Sequence, residues 1–230
     1  MKEEKVNEYT VRVWRDQYIY LDTVTIVDKE ENIRYQSNPW SHYKVLDLTN
    51  DGQQEIVIWQ YSGGVHGAYQ IQGYESDVRF TKIIDTPPSM CDGEFKDVNG
   101  DGILEFRTCD DAFVYFNLRC SYPFVNAIFQ YQPGAGYKLA NLENPQIYAE
   151  SIAFQTQRIL DFKIMPYWDQ DNLTDEVQCN ILPLILSYLY SGQEEKAWKV
   201  LDDHYPFQDI DEFRKDIESR VNKSPFFIRK

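Results

Sequence analysis

Two nine-residue segments, Asp47 to Glu55 and Asp97 to Glu105, repeat one pattern fifty positions apart. Both read Asp-x-(Thr/Asn)-x-Asp-Gly-x-x-Glu. A hard cation such as Ca²⁺ takes about six to eight oxygen ligands, and a loop that offers oxygens at alternate positions can supply most of them. In the second segment Asp97, Asn99 and Asp101 offer side-chain oxygens, Ile103 its backbone carbonyl, and Glu105 a closing carboxylate. In the first, Asp47, Thr49, Asp51, Gln53 and Glu55 hold the same places, with a hydroxyl at Thr49 as the weaker donor. Gly52 and Gly102 stand where the backbone must turn sharply. The competing reading is a metal-free polar hairpin turn, since Asn-Gly-Asp-Gly turns with or without an ion. An EF-hand is excluded on two counts. Its bidentate Glu at the twelfth position is replaced by Ile58 and Thr108, and the flanks do not read as helices.

What must position these loops reads as β-structure. Tyr43 to Leu46 enters the first loop and Glu55 to Trp59 leaves it; residues 68–74 and 78–84 follow as apolar-alternating runs. Glu94 to Lys96 enters the second loop, Ile103 to Thr108 leaves it, and 127–132 and 137–140 come next around a Pro-Gly-Ala-Gly turn. Further strands are expected at 10–14, 18–21 and 23–27. Each loop thus belongs to a unit of three or four antiparallel strands repeating at about fifty residues, a period found in propeller blades and related arrays. Seventeen Tyr and 13 Phe agree with sheet.

Beyond Asn144-Pro145 the pattern turns helical. Helices are expected over 147–165, over 177–190 with an N-cap at Thr174-Asp175-Glu176, over 194–204 and over 209–221. Pro183 should kink or split the second of these. The fold class expected is α+β, with N-terminal antiparallel β repeats (propeller-blade-like or sandwich) over 1–145 and a small helical bundle over 146–230. The helix–Ser191-Gly192–helix segment is similar to one hairpin of tetratricopeptide-like repeats.

The two loops resemble the calcium-binding loops of the FG-GAP/VCBS family of integrin-type β-propellers and bacterial secreted proteins, over roughly residues 40–140. That resemblance implies a loop between two strands of a blade, holding Ca²⁺ through residues matching Asp97, Asn99, Asp101, Ile103 and Glu105. The helical tail lies outside the pattern, and two loops are too few for a closed ring. The metal so implied is structural, joining carboxylates that would otherwise repel.

Other chemistry-bearing residues are sparser. Tyr61-Ser62-Gly63-Gly64-Val65-His66-Gly67 is Gly-rich beside an imidazole; a turn or bulge accounts for it, and an anion nest or catalytic His66 is the alternative. A hydrolase built on His66 with Asp110 or Asp111 is therefore a second functional reading, though no nucleophile elbow is present. The Ser191-Gly192 hairpin as a protein-interaction module is a third. His42 and His204 lack the partners zinc needs. Cys91, Cys109, Cys120 and Cys179 form no C-x-x-C; Cys109 with Cys120 is the expected bridge in an oxidising compartment, and four small buried thiols the alternative. Most of the five Trp should be core, with Trp40 the best candidate for an exposed carbohydrate-stacking ring.

A net charge of −14 disfavours nucleic acid and anionic membranes, which need Lys and Arg. No stretch reaches the ~20 apolar residues of a spanning helix. The charged start, Met1 to Lys5, has no apolar run behind it, so no signal peptide is expected in this chain. The combined expectation is a non-catalytic, calcium-binding β-repeat protein, secreted, periplasmic or on the cell surface, with a protein or glycan partner and the oligomeric state left open.

Overall fold

The computed structural model describes residues 1–15, 22–116, 123–162 and 170–229. Among the described residues twelve strands form three four-stranded antiparallel sheets, each a run of consecutive neighbours. The first contains β1 (Lys2–Val6), β2 (Tyr9–Arg15), β3 (Asp22–Val27) and β4 (Ile33–Gln36). The second contains β5 (Ser41–Leu46), β6 (Glu55–Tyr61), β7 (Tyr69–Glu75) and β8 (Lys82–Asp85). The third contains β9 (Glu94–Lys96), β10 (Glu105–Asp110), β11 (Val125–Gln132) and β12 (Gly136–Leu139). A four-stranded meander is the strand count of a propeller blade. Four helices follow: α1 (Ala149–Asp161), α2 (Gln170–Tyr190), α3 (Glu194–His204) and α4 (Ile210–Val221), with a 3-10 turn at Pro145–Tyr148. The α+β class with β repeats before helices is therefore the observed one.

The chain divides into two compact units. The first comprises 1–108 and 129–138, the second 109–128 and 139–230. Strands give way to helices near residue 145, whereas the compact units place 109–128 with the helices.

In the first unit alternation decides which side chains face which sheet. Ile56 and Ile58 on β6 join Val6, Tyr9, Val11, Val24, Ile26 and Phe80 in one core. Their neighbours Val57 and Trp59 point the other way, and Trp59 meets Phe95 edge-on at 6.0 Å. β6 is thus buried on both faces, which is why it reads as an unbroken apolar run rather than an alternation. Two strands were not expected from sequence. β1 is Lys-Glu-Glu-Lys-Val, exposed except for Val6, and β4 is a short strand at the opposite edge of the same sheet. Charged or short strands are usual at edges, where they discourage pairing with another chain. The run expected over 78–84 is a strand only from Lys82, because Asp77 Oδ1 accepts the amides of Arg79 and Phe80 and folds the chain there. The strand expected at 18–21 lies outside the described residues.

In the second unit α2 is buried on most of its circumference through Ile181, Leu182, Leu184, Ile185, Leu186 and Leu189. The helix runs through Pro183 without splitting and starts ahead of Thr174, so that residue is not its cap. Gly192 (φ +73°) ends the α2–α3 turn, with the Gln193 amide reaching back to Tyr188 O at 2.8 Å. Asn141 pins the unit's segments together: its Oδ1 accepts the Ile128 amide (2.9 Å) and its Nδ2 donates to Phe226 O (2.8 Å).

Candidate functional site: twin acidic loops

Both acidic segments are hairpin connections with one register. Leu46 pairs with Glu55 across the first, and Lys96 with Glu105 across the second. The glutamate closing each motif is thus the first residue of its outgoing strand, and it points inward: Glu55 is 3% exposed and Glu105 0%.

The loop backbones repeat as well. At the fourth position Asn50 (φ +57°) and Gly100 (+83°), and at the sixth Gly52 (+83°) and Gly102 (+87°), are left-handed. Glycine and asparagine adopt that region most readily, which explains the residue choice.

Three hydrogen bonds repeat in turn, and the remaining amide bound by the first Asp comes from the fifth position in one loop and the fourth in the other. Asp47 accepts the amides of Asp51 (3.2 Å) and Gly52 (3.1 Å); Asp97 accepts those of Gly100 (2.6 Å) and Gly102 (3.1 Å). Asp51 Oδ1 accepts the Gln53 amide and Asp101 Oδ1 the Ile103 amide, both at 2.8 Å. Glu55 Oε2 accepts the Leu48 amide (2.6 Å) and Glu105 Oε2 the Val98 amide (2.8 Å).

The two loops also touch. Leu104 N donates to Leu48 O at 2.9 Å, and a Cβ at Gly102 would lie 2.4 Å from Asn50 Nδ2. The sequence motif, drawn as two separate loops, missed Asn50 and the Leu48 carbonyl as the parts that join them. Gly102→Ala is expected to destabilise the protein by about 1–2 kcal/mol, from left-handed strain plus displacement of Asn50. Gly52→Ala, with nothing within 4 Å of its Cβ, should cost only about 1 kcal/mol. Urea midpoints of the two variants measure the difference, and equal values would remove the loop–loop contact from the account.

The loops differ in how they handle their charge. In the second, Asn99 Nδ2 donates to Asp101 Oδ2 (3.0 Å) and Glu105 Oε1 (3.1 Å), bridging two acidic side chains. Thr49, at the same place in the first loop, has no amide hydrogens to offer. Burial, reinforced by Asp51, Asp47 and Glu75, pushes Glu55 up to about 7, against a single opposing bond from the Leu48 amide. Among the described residues no Lys, Arg or His ion pair reaches any of the six loop carboxylates Asp47, Asp51, Glu55, Asp97, Asp101 and Glu105.

The donor set, carboxylates with an amide or hydroxyl and a carbonyl, is the chemistry of a hard cation. The carboxylates are spread along the loops holding backbone amides, and among the described residues no three His, Cys, Asp or Glu side chains form a ready-made metal cluster.

The other candidates are placed as follows. Asp110 is 1% exposed in the second unit and accepts from Tyr190 Oη, Ser224 Oγ and the Ala112 amide (2.8 Å). His66 is exposed on the turn between β6 and β7 in the first unit. The apolar face of the α2–α3 hairpin is packed, with Ala197 and Leu201 at 0% exposure. Cys91, Cys109 and Cys179 are disulfide-bonded, which overturns the reading of these cysteines as buried thiols. Cys120, the expected mate of Cys109, lies outside the described residues, as does Trp168. Trp59 and Trp198 are core, whereas Trp14 and Trp40 are about half exposed. No helix among the described residues is long and apolar enough to cross a membrane. Comparison with protein families, curated proteins and solved structures found no match.

Proposed function

We propose that the chain is a non-catalytic, calcium-binding β-repeat protein that serves as a binding or scaffold module, the metal being structural. The observation that carries this reading is the repetition of register, backbone conformation and hydrogen-bond circuit in two adjoining acidic loops. A turn needed only to reverse the chain would not require a buried carboxylate at its ninth position twice over. Asp97, Asn99, Asp101, the Ile103 carbonyl and Glu105 would hold one ion; Asp47, Thr49, Asp51, the Gln53 carbonyl and Glu55 a second. The ion supplies positive charge to carboxylates that have no cationic partner among the described residues. The resemblance of the loops to FG-GAP/VCBS repeats points the same way.

Bridged cysteines support an exported location, since disulfides persist in oxidising compartments. The fully engaged Asp110 weighs against the alternative hydrolase, and the packed hairpin face weighs against a helical interaction groove.

Equilibrium dialysis against ⁴⁵Ca²⁺ tests the metal directly. Uptake is expected from both loops, with Asp97→Asn/Asp101→Asn removing one component and Asp47→Asn/Asp51→Asn the other. No uptake at millimolar calcium would end the proposal.

A further inference from the structure

The Gly-rich segment 61–67 and the exposed Trp40 are unexplained by the calcium loops, and the structure brings them together in the first unit. Trp40 is 48% exposed and has φ +66°, a conformation that a bulky residue rarely adopts and that marks sites held in place by their surroundings. Gly63 is what holds it. A Cβ there would lie 2.4, 2.8 and 2.9 Å from three adjacent atoms of the six-membered ring of Trp40, so the glycine backs the flat of the indole. Gly67 does the same for Tyr61, where a Cβ would fall 2.4 Å from Cζ. Tyr61 in turn leans on Tyr69, ring centroids 4.7 Å apart at 32°. The Trp40 carbonyl accepts the Tyr61 amide (3.2 Å), and Tyr61 Oη donates to Gly64 O. Two glycines are therefore cut away so that two aromatic rings can seat against backbone at the end of the second sheet.

These rings line an open cleft of about 260 Å³ with Asp22, Ser41, His42 and Asp92. The volume falls short of the ~300–1,000 Å³ that encloses a whole small ligand, and suits one ring of a longer chain. Its polar groups narrow the chemistry. Asp22 is tied to Arg15 by bonds of 2.7 and 2.8 Å, and Ser41 Oγ donates to Asn38 O. Asp92 is exposed, with no side-chain hydrogen bond or ion pair among the described residues. His42 stacks on Trp59 at 5.2 Å, and burial followed by Lys44 lowers its pKa, leaving a neutral ring with one donor and one acceptor. Among the described residues no Lys or Arg lines the cleft, which disfavours phosphate, sulfate and carboxylate ligands. Tyr61 and Tyr69 lie against each other rather than around a centre, so the rings do not box in an organic cation. What remains is a broad indole face beside a carboxylate and a neutral imidazole.

We infer that this cleft is a subsite for a neutral saccharide, one pyranose stacking on Trp40 while Asp92 and His42 take its hydroxyls. The inference rests on the reading of the chain as a binding module, and it names the ligand class without requiring the calcium. Tryptophan fluorescence and isothermal titration with neutral tetrasaccharides of glucose, of N-acetylglucosamine and of mannose test it, each in calcium and in chelator. At least one should shift the emission and release heat, the response vanishing in Trp40→Ala and weakening about tenfold in Asp92→Asn. Asp92 is exposed, so its variant remains informative if Trp40→Ala misfolds. Three outcomes would overturn the assignment: silence with all three sugars, binding undiminished in both variants, or a response to tetramethylammonium in place of sugar. Calcium uptake with no saccharide response would remove the subsite alone; saccharide binding without calcium uptake would remove the metal alone.

Discussion

In metal-free buffer, Glu55→Gln should make the protein more stable than the parent at pH 8, by about 3 kcal/mol relative to their difference at pH 4. The folded protein lifts the Glu55 carboxyl to about 7, through burial first and the neighbouring acids second. An ordinary unfolded glutamate titrates near 4.3. Between those values the folded state holds the proton more tightly than the unfolded one, so stability falls as pH rises through the window and is level above it. Glutamine keeps the shape and can still accept the Leu48 amide, but has no proton to lose. Carboxylates shifted the other way, such as Asp22 through its bonds from Arg15, stabilise the fold above the ordinary carboxylate range, lose that contribution as pH falls, and cancel in the comparison. Urea unfolding of both proteins in chelator from pH 4 to pH 8 provides the test, and parallel stability curves would show that burial does not raise the Glu55 carboxyl.

That a polar position can be this consequential was only half legible in the sequence. The motif named Glu55 and Glu105 as closing groups because of their spacing, and the structure places both at the first residue of an outgoing strand. Spacing could not say that both would be buried, since burial comes from what covers the hairpins. Nor could it say that the two loops touch. Asn50 over Gly102 and Leu104 bonded to Leu48 are contacts between residues about fifty apart in sequence. The Asn-Asp-Gly of the first loop carried a local turn signal; its partner in space left no trace in composition.

The same division runs through the fold. Strands with alternating or wholly apolar runs, such as β2 and β6, announced themselves. β1 did not, because an edge strand of Lys and Glu buries only Val6 and is held by pairing with β2 over Lys2–Val13 to Val6–Tyr9. The first sheet carries no acidic loop, so nothing in the loop repeat marks it as a four-stranded unit of the same kind. In the helices, Pro183 invited a break that tertiary burial of Leu182, Leu184 and Ile185 overrides. The Trp40 cleft shows the opposite limit: each glycine in 61–67 read as a turn residue, and only the placement of the indole against Gly63 reveals a second purpose.

Calcium at about 100 times its Kd should add ~2.7 kcal/mol per site, enough to raise the melting temperature by about 5–10 °C. Charge permits both sites to fill. When ionised, six loop carboxylates carry −6 and two Ca²⁺ bring +4, which leaves −2 on the loops and takes the chain from −14 to −10. At one free calcium concentration common to both sites, the first loop should gain more per ion, because Glu55 has no counterpart to the Asn99 amide that bridges Asp101 and Glu105. Asp47→Asn/Asp51→Asn is then expected to remove more than half of the calcium-induced shift. Asp97→Asn/Asp101→Asn should remove the lesser part, and Glu55→Gln should exchange calcium dependence for stability in chelator. Magnesium, which tolerates fewer ligands and surrenders its waters reluctantly, should shift the transition less at equal concentration. Calorimetric scans in chelator, calcium and magnesium separate these outcomes. A melting temperature indifferent to calcium would leave the loops as turns whose buried glutamates are compensated by amides alone.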